Sequence, residues 1–525
     1  MHHQIHRAIA KSAGIISFAT LCSRILGFVR DMVIARLFGV YVYAQAFVVA
    51  FRIPNLFRDL LGEGATNAAL VPVFSEYTVR HTKEEFWELS NVLLNLLLVI
   101  LASVTILGIV FSPFIVRLIA PGFIASPEKL ATTVRLNRLI FPYVLLVSLA
   151  AYSMGILNSL KHFAVPAFAP CLLNISIIIF AIAFGEGIKG LALGVMVGGC
   201  LQLAIQIPVL YKKGFRLRLF QDFYHPAAKI VGRLLLPRVL SSSIYQLNNF
   251  VDSIFGSLAW VVGEGGVAIL YFSYRLIQFP LGIFSNALSQ AILPTLSTQA
   301  LEDTHDKLRG TLSWGLRSTF FVMLPASVGF LVLALPIVST LFGGGKFDAS
   351  SAQITARALL FYSIGLFAYG GTKILQSAFF ALKDTVTPTK IAALALAVNI
   401  ILNFLFMFPL KIAGLALATS LSGICSFLFL FFILKKRLGD FHTGQIIASF
   451  MRMLLATLFM GAVCYLVSLK ITFGGGFLRK FLVLGLALSS GVAAYIFFCF
   501  IFRVSEMREL WMGVSRKKGL SPPKA

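Results

Sequence analysis

Acidic residues are scarce: the 525-residue chain carries 20 Asp and Glu against 45 Lys and Arg. Charged residues make up 12% of it, where an ordinary soluble domain has about 25%. No polar stretch is long enough to fold alone, which excludes a string of soluble domains. The few carboxylates form no convincing acid–base pair outside the apolar runs. The six cysteines (Cys22, Cys171, Cys200, Cys425, Cys464, Cys499) all lie within apolar runs and lack metal-ligand spacing. That excludes a disulfide framework and a structural zinc, and leaves small reduced core residues. A P-loop and a GxSxG elbow are also missing. An enzyme is therefore not expected, nor a bound cofactor. With no ATP-binding module, any work must draw on Na⁺ or H⁺ coupling, the membrane potential or the substrate's own gradient.

Apolar runs are what the chain has in abundance. It is 58% hydrophobic, and runs such as 93–111, 391–408 and 481–502 are long enough to cross a bilayer. The expectation is an all-α polytopic membrane protein with about 14 transmembrane helices. The spans read as 12–38, 43–62, 90–119, 134–158, 164–184, 188–211, 232–262, 266–296, 314–342, 354–381, 388–408, 412–434, 448–469 and 480–502. The net charge of +25 sits in short connections rather than along one face, so nucleic acid is not the expected partner. Arg80, Lys83, Lys161, Lys212, Lys213, Arg216, Arg218, Lys435, Lys436 and Arg437 mark one side. The glycine-rich connections 185–189, 263–266 and 343–346 mark the other. By the positive-inside rule both termini are cytoplasmic.

A repeat runs through the first twelve spans. Pro72 and Pro294 lie 222 residues apart, Pro113 and Pro336 223, and Pro166 and Pro388 222. Residues 190–193 and 414–417 both read Gly-Leu-Ala-Leu, 224 apart. Four ordered matches at nearly one offset imply two homologous six-helix lobes, 1–224 and 225–440, inserted in the same orientation. Residues 441–525 add two further helices and a basic tail. Transporters with parallel repeats bind substrate near the midplane and alternate access by rocking.

Four arginines interrupt the first two spans: Arg24, Arg30, Arg52 and Arg58. Each costs at least about 2.5–3.5 kcal/mol at the bilayer centre, so a water-filled cavity holding an anion is their expected setting. Arg24 lies roughly 15 Å along the first helix from Gly14, and Arg30 roughly 24 Å. Six residues turn a straight helix by about 600°, so the two side chains point about 120° apart unless Gly27 permits a bend. Pro54 lies between Arg52 and Arg58. The plainer reading is that Asp31, Asp59 and Glu63 pair with them and only join helices, but the local acids do not neutralise all four. Arginine's planar fork suits a phosphate, and a pyrophosphate would engage several. Arg275, mid-span before Pro280, and Lys373 extend the set. A second polar group comprises Asp252, Asn399, Asn403 and Thr419. It reads as oxygen ligands for Na⁺, as a proton carrier at Asp252, or as hydrogen-bond glue between helices.

Residues 23–31 (Ser-Arg-Ile-Leu-Gly-Phe-Val-Arg-Asp), 51–65 (Phe-Arg-Ile-Pro-Asn-Leu-Phe-Arg-Asp-Leu-Leu-Gly-Glu-Gly-Ala) and 69–77 resemble the MurJ (MviN) family. These are bacterial lipid II flippases of the multidrug/oligosaccharidyl-lipid/polysaccharide exporter superfamily, and the resemblance extends along the whole chain. It implies a multi-pass protein of the bacterial inner membrane that moves undecaprenyl-pyrophosphate-disaccharide-pentapeptide to the periplasmic leaflet. It further implies that Arg24, Arg30, Arg58 and Arg275 are cavity arginines and that Glu63 contributes to a gate. Asp252, Asn399, Asn403 and Thr419 would then fall at a sodium site. Gln45, Asn403 and Tyr274 stand where relatives carry acids, which ranks Na⁺ coupling below anion binding. The partners implied are lipid II or a similar polyprenyl-pyrophosphate glycan and membrane lipids, with a functional monomer and an association with cell-wall or division enzymes. The alternatives are a flippase for another lipid-linked glycan, a cation-coupled antiporter of the superfamily, and a membrane scaffold.

Overall fold

The computed structural model describes residues 2–58, 70–185, 187–219, 225–302, 304–469 and 476–507. The described residues are overwhelmingly helical, and the one β-type pairing among them is an isolated bridge between Gly344 and Phe347. Among the described residues, ten helices are long and apolar enough to cross a membrane, eleven with a pair bent by 44°. A helix stands at each of the fourteen expected positions, and those at the first, second and seventh fall outside that apolar set. The first is interrupted by Arg24, Arg30 and Asp31, and the second is apolar but only 16 residues long.

The chain divides into two compact units: residues 1–268 with 344–348, and 269–343 with 349–525. In the first unit the helices are α1 (His2–Phe38), α2 (Val42–Phe57), α3 (Val71–Arg80), α4 (Lys83–Val110), α5 (Ser112–Ile119), α6 (Pro127–Ile140) and α7 (Tyr143–Ser159). Next come α8 (Ala164–Phe184), α9 (Ile188–Ala204), α10 (Ile207–Lys213), α11 (Pro226–Ser257) and α12 (Ala259–Val262). α13 (Gly266–Pro280) leads into the second unit, followed by α14 (Asn286–Gln299), α15 (Asp306–Leu341), α16 (Ala349–Ile364) and α17 (Leu366–Ala381). The last four are α18 (Val386–Leu410), α19 (Ile412–Leu438), α20 (Thr443–Ser468) and α21 (Phe477–Ile501).

Several boundaries differ from the reading of the sequence. The span expected at 90–119 is two helices, α4 and α5, broken at Phe111 because Pro113 cannot donate to the preceding turn. The span expected at 354–381 is the bent pair α16 and α17, hinged at Gly365. α1 runs unbroken through Gly27. A glycine keeps its N–H, so without proline nothing in α1 forces the helical ladder open.

The repeat is visible in local backbone geometry. Lys161 and Lys383, 222 apart, both have φ of 59°. Each follows a helix end closed by the same two bonds. The His162 and Asp384 N–H groups donate to Leu157 and Phe379 (2.8 and 2.9 Å), and those of Lys161 and Lys383 donate to Asn158 and Phe380 (3.0 Å each). This 6→1 and 5→2 pattern is the Schellman cap, which requires a left-handed residue. Gly190 and Gly414 likewise each bring a helix against the carbonyl of a phenylalanine on the preceding one, Phe180 and Phe406.

Candidate functional site

Arg30 is the most enclosed of the four arginines. Asp31, the next residue, is wholly buried, and Arg30 donates to its Oδ1 through Nε and Nη2 (3.0 and 2.7 Å). The remaining arm, Nη1, donates to Asn174 Oδ1 on α8 at 3.2 Å. The guanidinium also lies over the Phe51 ring of α2, 5.8 Å from its centroid. Asn174 in turn donates to the Ser23 carbonyl at 3.2 Å. One buried group therefore holds α1, α2 and α8 together. Burying such a pair is favourable only when its hydrogen bonds are made, and here those of the guanidinium fork are.

The other three arginines have a different setting. Arg24, six residues before Arg30, is exposed, as the 120° offset on an unbroken helix requires. Arg52 and Arg58 are half-buried on and just after α2. Pro54 between them lacks an N–H, so the Ala50 carbonyl loses its helical donor, tolerable where a helix lines water. Phe51 stacks on Tyr143 of α7 (5.9 Å between centroids), and the Tyr143 hydroxyl donates to Gln202 of α9 at 3.0 Å. Arg30 and Arg58 both lie within electrostatic reach of that hydroxyl. Across residues 2–58, Asp31 is the single carboxylate. Glu63 and Asp59 lie outside the described residues.

One end of the first unit is clasped shut by short contacts. The connection Gly343–Asp348, far along the chain, folds onto the α1–α2 turn. The Lys346 N–H donates to the Arg36 carbonyl (2.9 Å), and the Tyr41 hydroxyl donates to Asp348 Oδ2 (3.0 Å). Gly345, with φ of 59°, lies so close to the Arg36 carbonyl that any Cβ would overlap it. Lys129 of α6 is 5% exposed and pairs with Glu264, just after α12, at 2.7 Å. The Gly122 N–H donates to Ser257 Oγ at 2.9 Å. The sequence signalled none of these partners except through its glycines.

In the second unit Arg275 is half-buried on α13 and donates to Gln278 at 3.4 Å. Pro280 ends that helix in a wide π-type turn, Leu281–Ser285. Lys373 on α17 is exposed although the adjoining Ile374 is wholly buried. Asn399, Asn403 and Thr419 come together as expected. Asn403 donates to Asn399 Oδ1 (2.9 Å), Asn399 to Thr419 Oγ1 (3.2 Å), and Thr419 to the Leu415 carbonyl (3.1 Å). The chain of donors leaves Asn403 Oδ1 buried with no donor among the described residues. Asp252, half-buried, belongs to the first unit. No group of three or more His, Cys, Asp or Glu gathers among the described residues.

The sequence reading missed Asn174, the residue that fixes Arg30, and the buried pair Arg317–Glu506. Arg317 of α15 donates to Glu506 at 2.5 Å, and Ser449 of α20 donates to the same carboxylate at 3.0 Å. Both lone polar residues inside apolar helices, Asn174 and Arg317, were the available signal.

Residues 34–484 match the model of the family described as lipid II flippase MurJ. A probable lipid II flippase MurJ of Buchnera aphidicola subsp. Acyrthosiphon pisum is 37% identical over 79% of this chain and 81% of its own. One from Vibrio cholerae is 33% identical over 94% and 96%. Among solved structures, lipid II flippase MurJ in an inward closed conformation superposes with a TM-score of 0.77 at 28% identity, covering 93% of this chain and 98% of that one. A multidrug resistance MATE family transporter shares the fold at 16% identity and a TM-score of 0.64, covering 80% and 96%. The chain belongs to the lipid II flippase MurJ family and is a multi-pass transporter of the bacterial inner membrane, not an enzyme.

Proposed function

We propose that this chain moves lipid II, the undecaprenyl-pyrophosphate-linked peptidoglycan precursor, from the cytoplasmic to the periplasmic leaflet by alternating access. Within a chain of this family, the observation that carries the reading is the surplus of arginine along α1 and α2, where residues 2–58 hold six arginines and one carboxylate. Arg24, Arg52 and Arg58 take the pyrophosphate. Charge-assisted, forked hydrogen bonds to phosphate are strong and tolerate the wet cavity such a headgroup needs. Arg30 and Asp31 are positioning residues that hold the helices in place. Arg275 carries the same anion-binding assignment from the sequence, as does Glu63 its gating one. The polyprenyl tail stays in lipid throughout.

The clasp at Gly343–Asp348 and the Lys129–Glu264 pair close the periplasmic end, with both termini cytoplasmic. Opening breaks a handful of hydrogen bonds and one ion pair, a change small enough for the substrate to drive. The membrane potential then resets the positively charged cavity, since one charge moved through 100 mV is worth about 2.3 kcal/mol. Ion coupling through Asp252, Asn399, Asn403 and Thr419 is secondary, because Asn399 Oδ1 and Thr419 Oγ1 already accept hydrogen bonds from the cluster's own amides.

The test is rescue of a bacterium depleted of its own lipid II flippase, with intact chain or Arg58→Ala at matched membrane levels. Growth and labelled lipid II outside the membrane with the intact chain, and neither with the variant, is the expected result. Rescue by both would remove Arg58 from the mechanism. Absence of rescue by a well-expressed intact chain would pass the function to another lipid-linked glycan.

A further inference from the structure

The first unit holds a cavity of about 590 Å³ that the transport reading leaves unused. Its wall is apolar: Ile53 of α2, Leu107 of α4, Phe111, Ile115 of α5, Phe141 and Leu247 of α11 all line it. Leu107, Phe111 and Leu247 are themselves exposed, so the cleft opens sideways toward the surrounding membrane. Gly108 forms part of its floor, where the Phe141 ring lies so close that no Cβ would fit. The volume falls within the roughly 300–1,000 Å³ of ligand pockets.

Apolarity alone cannot select an occupant here. Lipid tails are as apolar as leucine, so a chain gains little by leaving bulk membrane for this cleft. A preference has to come from a polar contact at the rim, and Arg138 supplies it. Arg138 sits on α6 one turn before Phe141. Its Nε donates to the Ile109 carbonyl at 3.3 Å, between the cleft residues Gly108 and Phe111. That bond holds the guanidinium at the cleft's end, and the side chain is exposed, which leaves its terminal amino groups for an anion. Arg135, one turn earlier on α6 and also exposed, adds positive charge to the same helix. α4 enters the membrane at Lys83, so this rim belongs to the opposite leaflet.

We propose that the cleft binds one acyl chain of an anionic glycerophospholipid, with Arg138 holding its phosphate. Basic residues beside crevices between membrane helices recognise anionic headgroups in this way. The ligand would wedge between α2, α4, α5 and α11, helices that must shift against one another if the clasped end opens. The phospholipid is thus placed to bias that movement.

The experiment is native mass spectrometry of the full chain released from detergent carrying equimolar dioleoyl-phosphatidylglycerol and dioleoyl-phosphatidylcholine. One phosphatidylglycerol should be retained in preference to phosphatidylcholine. Arg138→Gln should cut that preference roughly tenfold, and Ile115→Trp, which fills the cleft, should remove retention of both. Leu118→Trp blocks the mouth from a position 63% exposed, so it serves where Ile115→Trp lowers the melting midpoint. Equal retention of the two lipids by the parent chain would overturn the proposal. So would unchanged retention in Arg138→Gln or in both cleft-filled variants. Displacement of phosphatidylglycerol by equimolar undecaprenyl pyrophosphate, lost in the filled variants, would give the cleft to the transported lipid instead.

Discussion

Two arginines paired with buried carboxylates invite comparison. Arg30 in the first unit and Arg317 in the second each lie against a buried carboxylate, Asp31 or Glu506, with a hydrogen-bonding side chain from another helix alongside. Arg317 and Glu506 balance one another, and they tie α15 and α20 to the segment after α21. Around Arg30 the charges are unequal in number: residues 2–58 carry Arg7, Arg24, Arg30, Arg36, Arg52 and Arg58 against the one carboxylate of Asp31. A buried, paired arginine is an element of construction. Arg52 and Arg58 are half-buried instead, and it is to such arginines at membrane depth that the proposal gives the anion.

The largest effects should come from breaking either buried pair. Arg317→Ala and Arg30→Ala each leave a carboxylate buried and uncompensated, and should lower stability by about 3–5 kcal/mol, read as a fall in the unfolding midpoint in detergent. The double variant Arg317→Met with Glu506→Leu should recover most of it, since an apolar pair of similar volume packs without a desolvation penalty. Arg58→Ala should stay within about 1 kcal/mol of the parent while abolishing rescue. Unfolding by Arg58→Ala to the extent seen with Arg30→Ala would erase the distinction drawn between the two settings.

A smaller effect separates the twin turns of the repeat. Asp384 follows Lys383, whereas His162 stands at the matching place after Lys161. Burial opposes ionisation of Asp384, but the backbone N–H and hydroxyl of Thr387 and the Arg437 guanidinium together hold its carboxyl below the usual carboxylate value. A depressed folded value means the unfolded chain binds the proton more tightly. The contribution is therefore present above about pH 3.9 and lost as pH falls through the folded value. Asp384→Ala should cost about 0.5–2 kcal/mol as a lost helix cap and flatten the acid limb of the melting curve. His162→Ala should leave that limb unchanged.

The smallest effect has the opposite sign. Lys161 and Lys383 occupy left-handed backbone that a side chain resists, so Lys161→Gly and Lys383→Gly should each raise stability by about 0.5–1 kcal/mol. Equal gains in the two variants would support equivalent turns, and unequal gains would show that the repeat has diverged in energy as well as sequence.

Much of this was legible in the sequence, for identifiable reasons. Apolar runs of membrane length determine helices, because in lipid the backbone must satisfy its own hydrogen bonds. The spacing of prolines and of the two Gly-Leu-Ala-Leu segments therefore revealed the repeat, and the six-residue interval sets Arg24 and Arg30 on different faces once α1 is known to run straight through Gly27. The sequence also determined that positive charge exceeds negative along the first two helices. It did not decide which arginine would be buried as a tie and which would stay half-buried or exposed. That depended on Asn174, 144 residues from Arg30, and on Phe51 arriving across the bundle. Likewise, the connection Gly343–Asp348 could be seen as a turn, but not as a clasp on Arg36 and Tyr41. Local patterning sets secondary structure because helical bonds span four residues. The fate of a charge depends on partners brought in from distant helices, and only tertiary packing supplies those.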